Sequence, residues 1–519
     1  MSTSGAMVRR IVGALLAGVL LALAFPPAEW SGLSFVALVP LLLAVEGCPP
    51  RRAFLLGWLM GLIHFAMVVW WVTVAMINYG YLPVPVGWAL LLLLSAYLAL
   101  YPGLFGAAAA WASRRIPGGA GRVIFLAAAW TALEWLRGTI FLGGFPWADI
   151  AYSQYRRLTF IQSASLAGPY GPGFLIVAVN AGLLALARSV TARGQARLRE
   201  AAGAGLVILL LAANGLWGAH RLGREPALGP PLKVAAIQGN IGQSIKWDAA
   251  YREETVRIYE DLSRDAAAAG ADLIIWPESA VPLYLQDEPR QQERLSGLAR
   301  ELGRPILFGV PAYEAEGGKL ELRNRAILID GNGVLDGFYD KMHLVPFGEY
   351  VPFKKLLFFA GKLVAEVGDF TPGRGRHLFR ARGEPFGTVI CYEIIFPDLV
   401  RRYVKEGAAF MTTITNDAWY ERSSASLQHF TQMVFRAVEN GVPVARAANT
   451  GISGFVDGRG RILALSPLFE RGSYLGSIRP GRERTFYTEH GDLFAWLCLA
   501  ILALWPLGTL VRRVRRPGS

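Results

Sequence analysis

Long uncharged runs fill 1–218 and 492–511, whereas charged and apolar positions alternate at short range throughout 232–490. Two regions built for different solvents follow. About 20 apolar helical residues cross a hydrocarbon core, and the candidates are 53–77, 84–112, 123–142, 173–187, 201–218 and 492–511. Two shorter runs, 11–25 and 33–46, flank Pro26 and Pro27 and read as a tilted pair or a re-entrant hairpin. The first could instead be a signal peptide behind Arg9 and Arg10, but the two prolines would crowd its cleavage site and more apolar segments follow.

In the charged region, short β-branched runs alternate with amphipathic stretches, the pattern of layered α/β architecture. Strands are predicted at 232–238, 272–276, 305–310, 325–330, 386–391 and 410–415, and helices at 249–269, 289–302, 397–405 and 424–440. Runs at 443–447, 452–456, 460–465 and 473–478, punctuated by glycine, complete the sheets. The stretch 352–367, PFKKLLFFAGKLVAEV, combines lysines with large apolar residues. It reads equally as a segment resting on a bilayer surface or as a core helix.

Arginine placement orients the apolar array if the N-terminus is cytoplasmic. Alternate loops then hold Arg9, Arg10, Arg51, Arg52, Arg114, Arg115, Arg122, Arg188, Arg193, Arg197, Arg199, Arg512, Arg513, Arg515 and Arg516, against only Arg156 and Arg157 opposite. Both termini are expected in the cytoplasm and 232–490 outside. The expected division is a membrane domain of seven helices at 1–224, an extracytoplasmic α/β domain at 225–490, and a last helix with a basic tail at 491–519. These arginines account for most of the net charge of +13, so no nucleic-acid partner is inferred.

A domain outside the membrane lies where disulfides form readily, yet 232–490 holds one cysteine, Cys391. Cys48 and Cys498 belong to membrane segments, beyond the roughly 7 Å between Cα atoms that a bridge requires. Cys391 is therefore expected to be a free thiol, a liability unless it is used. Glu278, Lys341 and Cys391 all fall at predicted strand ends, where reacting groups of α/β sheets converge. A thiol attacks as thiolate and needs a cation or a base beside it; Lys341 offers the charge and Glu278 the base. A lysine aimed at a carbonyl oxygen also stabilises the anion formed on attack. Taken alone, each has a plainer reading: Cys391 as a small core residue, Glu278 as a loop carboxylate, and Lys341 as half of an exposed pair with Asp340.

WPES at 276–279, KMHLVPFGE at 341–349 and CYE at 391–393 resemble the glutamate, lysine and cysteine motifs of the nitrilase superfamily. QGNIGQSIKWD, HLVPFGEYVPF, ICYEIIF and TNDAW, in order and with apolar segments on both flanks, resemble the apolipoprotein N-acyltransferase family over essentially the whole chain. The resemblance implies eight transmembrane helices in a bacterial inner membrane, a periplasmic αββα nitrilase-like sandwich, and a two-step reaction without metal or cofactor. By position it implies Cys391 as nucleophile, Glu278 as general base and Lys341 as oxyanion stabiliser. Glu349 and Glu393 would orient the lysine and the thiol, with Tyr392 beside them, and Trp247 and Trp419 would sit on loops over the site. The implied donor is a phospholipid, typically phosphatidylethanolamine, and the implied acceptor the α-amine of a diacylglyceryl-cysteine at a lipoprotein N-terminus. One departure stands out: Tyr420 is followed by Glu421, where the family pattern has glycine.

The remaining polar features carry less. The six histidines show no metal-binding spacing, and GISGF at 451–455 fits a strand turn better than a serine elbow. Glu134 and Arg137, one helical turn apart in an apolar run, are expected to pair with each other or line a polar opening. The nearest rival function is a membrane-tethered hydrolase of nitriles or small amides using the same three residues. A transporter or receptor whose outer domain only binds ligand fits less well, because few intramembrane charges fall in pairs suggestive of a relay and no inverted repeat with broken helices is evident.

Overall fold

A computed structural model describes residues 3–316, 318–352 and 369–514. The 352–367 stretch lies almost wholly outside these, as do Arg515 and Arg516 of the basic tail. The chain divides into two units: Met1–Ile77, Tyr81–Gly223 and His490–Ser519 form the first, and Asn78–Gly80 with Arg224–Glu489 the second.

The first unit is helical. Among the described residues, five segments are long and apolar enough to cross a membrane: Gly5–Leu23, Pro50–Val68, Val84–Arg115, Tyr170–Thr191 and Gly194–Gly223. Three shorter apolar helices are Ser31–Val45, Leu158–Ala167 and Leu493–Pro506. The first apolar run is longer than its hydrophobic pattern suggested, because the helix Thr3–Leu23 continues back through Arg9 and Arg10. Helix Gly119–Thr139 is buried along most of its length and carries Glu134 and Arg137. These two do not pair. Residues 145–150 fold back on the helix, so Arg137 reaches Asp149 at 2.5 Å and the carbonyls of Phe145 and Trp147, while Glu134 accepts from the Ile150 N–H at 2.8 Å. Both also line a small cavity with His64, Tyr101 and Trp130.

The second unit stacks two six-stranded sheets. The strands are β1 (Leu232–Gln238), β2 (Leu273–Ile275), β3 (Ile306–Glu316), β4 (Lys319–Ile329), β5 (Leu335–Asp340), β6 (Leu378–Ala381), β7 (Glu384–Ile390), β8 (Phe410–Thr415), β9 (Val444–Ala448), β10 (Gly454–Val456), β11 (Ile462–Leu465) and β12 (Gly472–Ile478). One sheet runs β12-β1-β2-β3-β4-β5 and the other β11-β10-β9-β8-β7-β6. β1 faces β9 and β10 faces β12 across the sandwich. Helices Arg252–Ala268 and Pro289–Leu302 cover the first sheet, and Pro397–Lys405 and Ala425–Asn440 the second. This is an αββα arrangement.

Local chemistry explains the boundaries. Pro289 and Pro397 open their helices, where a missing N–H costs nothing. Gly303 and Gly441 close theirs in the left-handed region. Val256, Tyr259, Leu295 and Leu298 bury the helix faces against Ile274, Trp276, Phe308 and Ile327. β1, β2 and β3 run parallel, as do β7, β8 and β9. The loops that leave β2, β7 and β8 therefore start from carboxyl ends, the edge at which α/β sheets gather ligands.

Candidate active site

Glu278 follows β2, Lys341 follows β5, and Cys391 follows β7. All three are buried, Lys341 with 1% of its surface exposed, so its reading as half of an exposed pair with Asp340 does not hold. Asp340 is engaged instead by Arg325, directly across the β4–β5 ladder.

Four side chains form a tight cluster. Lys341 Nζ donates to Glu349 Oε1 at 2.9 Å and lies 3.5 Å from Glu278 Oε1. Asn324 on β4 donates from one amide nitrogen to Glu278 Oε1 (2.7 Å) and Glu349 Oε1 (3.0 Å). Glu278 Oε2 takes the Asn416 N–H at 3.0 Å, and Glu349 Oε2 the Val345 N–H at 2.8 Å. Glu278 can approach β3 this closely because Gly309 has no side chain: a Cβ there would stand 2.5 Å from Ser279 N and 2.8 Å from Glu278 Cα.

Cys391 is a free thiol held at φ +53°, a conformation that disfavours any residue but glycine. Burial, then the charge of Glu278, push its thiol up to about 12, against the opposing pull of Lys341. Burial works against a charged Lys341, yet Glu349, Glu278 and Cys391 together hold it well above the usual lysine range.

Glu393 stands one step back from the thiol. Its carboxylate accepts the N–H of Ile390 (2.8 Å), Met342 (2.7 Å) and His343 (3.0 Å) and the Tyr339 hydroxyl (2.7 Å). It ties the residue before Cys391 to the residues after Lys341, so it orders two backbones rather than touching the sulfur directly. Burial raises its carboxyl to about 7 against those hydrogen bonds. Tyr392 is half-buried, which raises its phenol, and its ring meets Phe396 edge-on.

Of the two tryptophans, Trp247 is exposed and Trp419 half-buried. Trp247 is 41% exposed, on the loop before helix Arg252–Ala268. Trp419 lies in the turn Asp417–Tyr420, its ring edge-on to Tyr79 with centroids 5.4 Å apart. Glu421 ends that turn at φ +47°, where glycine would be at ease. Its carboxylate accepts from Asn78 Nδ2 (2.9 Å) and Tyr79 (3.4 Å).

Sequence reading passed over Asn324 and Lys246. Lys246 is 2% exposed and donates to the Glu278 carbonyl at 2.9 Å. Burial lowers it to about 8, while Glu278 and Cys391 pull the other way. The signals available were a lone amide between Arg323 and Arg325 in a strand, and the lysine beside Trp247 in the QGNIGQSIKWD phrase. Among the described residues, no group of three or more metal-binding side chains gathers.

Against known proteins, residues 17–182 match the family model for the apolipoprotein N-acyltransferase N-terminal domain, and residues 233–486 the model for carbon-nitrogen hydrolases. An apolipoprotein N-acyltransferase of Geobacter metallireducens is 46% identical, covering 94% of this chain and 92% of its own. Those of Methylococcus capsulatus (37% identical; 98% and 97% covered) and Vibrio vulnificus (33%; 96% and 97%) match at similar extent.

Proposed function

The chain belongs to the apolipoprotein N-acyltransferase family, and from that premise we propose that Cys391 carries the acyl group from a phospholipid to the α-amine of a lipoprotein's N-terminal diacylglyceryl-cysteine. It is a membrane protein with a carbon-nitrogen hydrolase domain. Relatives named as acyltransferases over nearly the full chain do not favour a tethered hydrolase.

One observation supports these roles for the three residues: Glu278 and Lys341 share one buried, hydrogen-bonded cluster with Asn324 and Glu349, and their charges pull the buried Cys391 thiol in opposite directions. As the sulfur attacks the donor's ester carbon, its proton passes to Glu278 and the carbonyl oxygen becomes anionic beside Lys341, whose charge is worth most in a dry site. Collapse breaks the ester C–O bond, and the leaving oxygen of the lysophospholipid takes the proton from Glu278. The thioester remains on Cys391. The neutral α-amine then attacks the thioester carbon and gives a proton to Glu278; the C–S bond breaks, and the sulfur recovers the proton. Glu349 and Asn324 keep Lys341 and Glu278 in register through both halves. Phosphatidylethanolamine is the proposed donor, and no metal or cofactor takes part in these steps.

The fifteen arginines on one side of the apolar segments support a multi-pass inner-membrane chain with cytoplasmic termini and the catalytic domain on the periplasmic face. There the donor and the lipidated acceptor share one surface with the site, replacing a search in solution by proximity.

The test is the mass of the purified full-length protein after incubation with phosphatidylethanolamine vesicles. Wild type is expected to gain one hydroxylamine-sensitive acyl group on the peptide containing Cys391, and Cys391→Ala none. An adduct that persists in Cys391→Ala would refute the assignment.

A further inference from the structure

A second buried cluster lies behind the nucleophile. His429, on helix Ala425–Asn440, places Nε2 3.1 Å from the Cys391 carbonyl oxygen. Its Nδ1 lies 3.0 Å from Arg446 Nη2 and 3.3 Å from Asp417 Oδ1. Arg446 on β9 bonds Asp417 Oδ2 at 2.6 Å and the Ile452 carbonyl at 3.0 Å, and Thr415 donates to Asp417 Oδ1 at 2.9 Å. His429 is 2% exposed, Asp417 and Arg446 not at all.

The partners select one tautomer. A carbonyl oxygen only accepts, so Nε2 carries the hydrogen. Nδ1 then accepts from the Arg446 guanidinium. Burial, followed by the Arg446 charge, lowers His429 below the usual histidine range, in keeping with a neutral ring. Arg446 meanwhile keeps Asp417 ionised against its burial. This is an Asp–Arg–His chain whose last donor ends on the backbone of the reacting residue.

We infer that His429 is a positioning residue that locks Cys391 in its left-handed backbone conformation by gripping the Cys391 carbonyl. The grip is needed because φ +53° is costly for a residue with a side chain and persists only where the surroundings over-determine it. Glu393 holds the Ile390 N–H on one side of Cys391, and His429 holds the Cys391 carbonyl on the other. The peptide unit is planar, so the same bond also fixes the direction of the Tyr392 N–H. Freed of His429, the Cys391 backbone relaxes toward ordinary angles and carries the sulfur away from Glu278 and Lys341.

This inference rests on Cys391 as nucleophile, and three variants of the full-length protein test it through the rate of adduct formation at saturating phosphatidylethanolamine. His429→Met keeps bulk without a donor. His429→Asn keeps an amide for Asp417 and Arg446 but falls short of Cys391. His429→Gln carries an amide N–H that reaches the carbonyl. Met and Asn are expected to slow acylation by about a hundredfold, with the phospholipid concentration for half-maximal rate unchanged, and Gln to recover to within about tenfold of wild type. Should Met fail to fold, the Asn and Gln pair decides the question. Wild-type rates in Met or Asn, or a Gln variant as slow as Asn, would overturn the inference. A wild type that forms no adduct on Cys391 would instead refute the nucleophile itself.

Discussion

At the scale of the residue, the problem is how a buried sulfur becomes nucleophilic. An ordinary thiol titrates near 8.5, but burial and Glu278 push Cys391 up to about 12, so it remains a thiol across the physiological range. Reaction then requires proton transfer during the attack, the task assigned to Glu278. The sign follows for pH: the neutral thiol persists until pH approaches 12, so the acylation rate should show no rise centred near 8.5. Any change there should be a fall, because Lys246 loses its charge near 8 and withdraws a cation from beside Glu278 and Cys391. Adduct formation followed from pH 6 to 10 checks this, and an ascending limb near 8.5 would mean a preformed thiolate. Glu278 and Cys391 were legible because each stood at a predicted strand end inside a recognisable phrase, and Lys341 through its phrase, since β5 before it had no apolar run to mark it. Their partners were not. Whether Asp340 neutralises Lys341 or Arg325 depends on the β4–β5 register, which no local pattern reveals. His429 was legible only as a residue without metal-binding spacing, since its partner is a backbone carbonyl.

Among elements, strands announced themselves only where they are apolar. β3 and β4 run on through 312–316 and 319–323, a more polar extension that the hydrophobic runs at 305–310 and 325–330 did not mark. β5 and the four-residue β6 owe their conformation to ladder partners more than to their own composition, LDGFYD and LFRA. The β2 exit loop shows how an element places chemistry. Gly309→Ala would press a methyl group against Ser279 and Glu278, at a cost of about 1–3 kcal/mol in stability and a roughly ten- to hundredfold slower acylation from a displaced Glu278. Gly297→Ala, on helix Pro289–Leu302, where a Cβ would meet only the end of the Arg300 side chain at 4.0 Å, should leave the rate unchanged and add up to about 1 kcal/mol. Thermal unfolding and adduct kinetics of the two variants separate a local displacement from a general effect of filling a glycine.

For the whole molecule, the long uncharged runs of the sequence lie in the helical unit and the mixed pattern in the stacked sheets; a bilayer and water select opposite surfaces. Finer detail was hidden by charges satisfied inside the helical unit. Helix Gly119–Thr139 carries Arg122, Glu134 and Arg137 and is not one of the five described segments long and apolar enough to cross a membrane, yet it is buried along most of its length. Glu134 and Arg137 find their partners in a fold-back loop rather than in each other. The central claim concerns the fate of the thioester, which separates a transferase from a hydrolase built on the same three residues. The measurement is the discharge of isolated acyl-Cys391 protein in vesicles, timed by mass with and without a diacylglyceryl-cysteine peptide. Rapid loss of the acyl group to the peptide as an N-acyl product, with only slow loss to water, is the predicted result; equally fast discharge in water alone, with no N-acylated peptide, would contradict it.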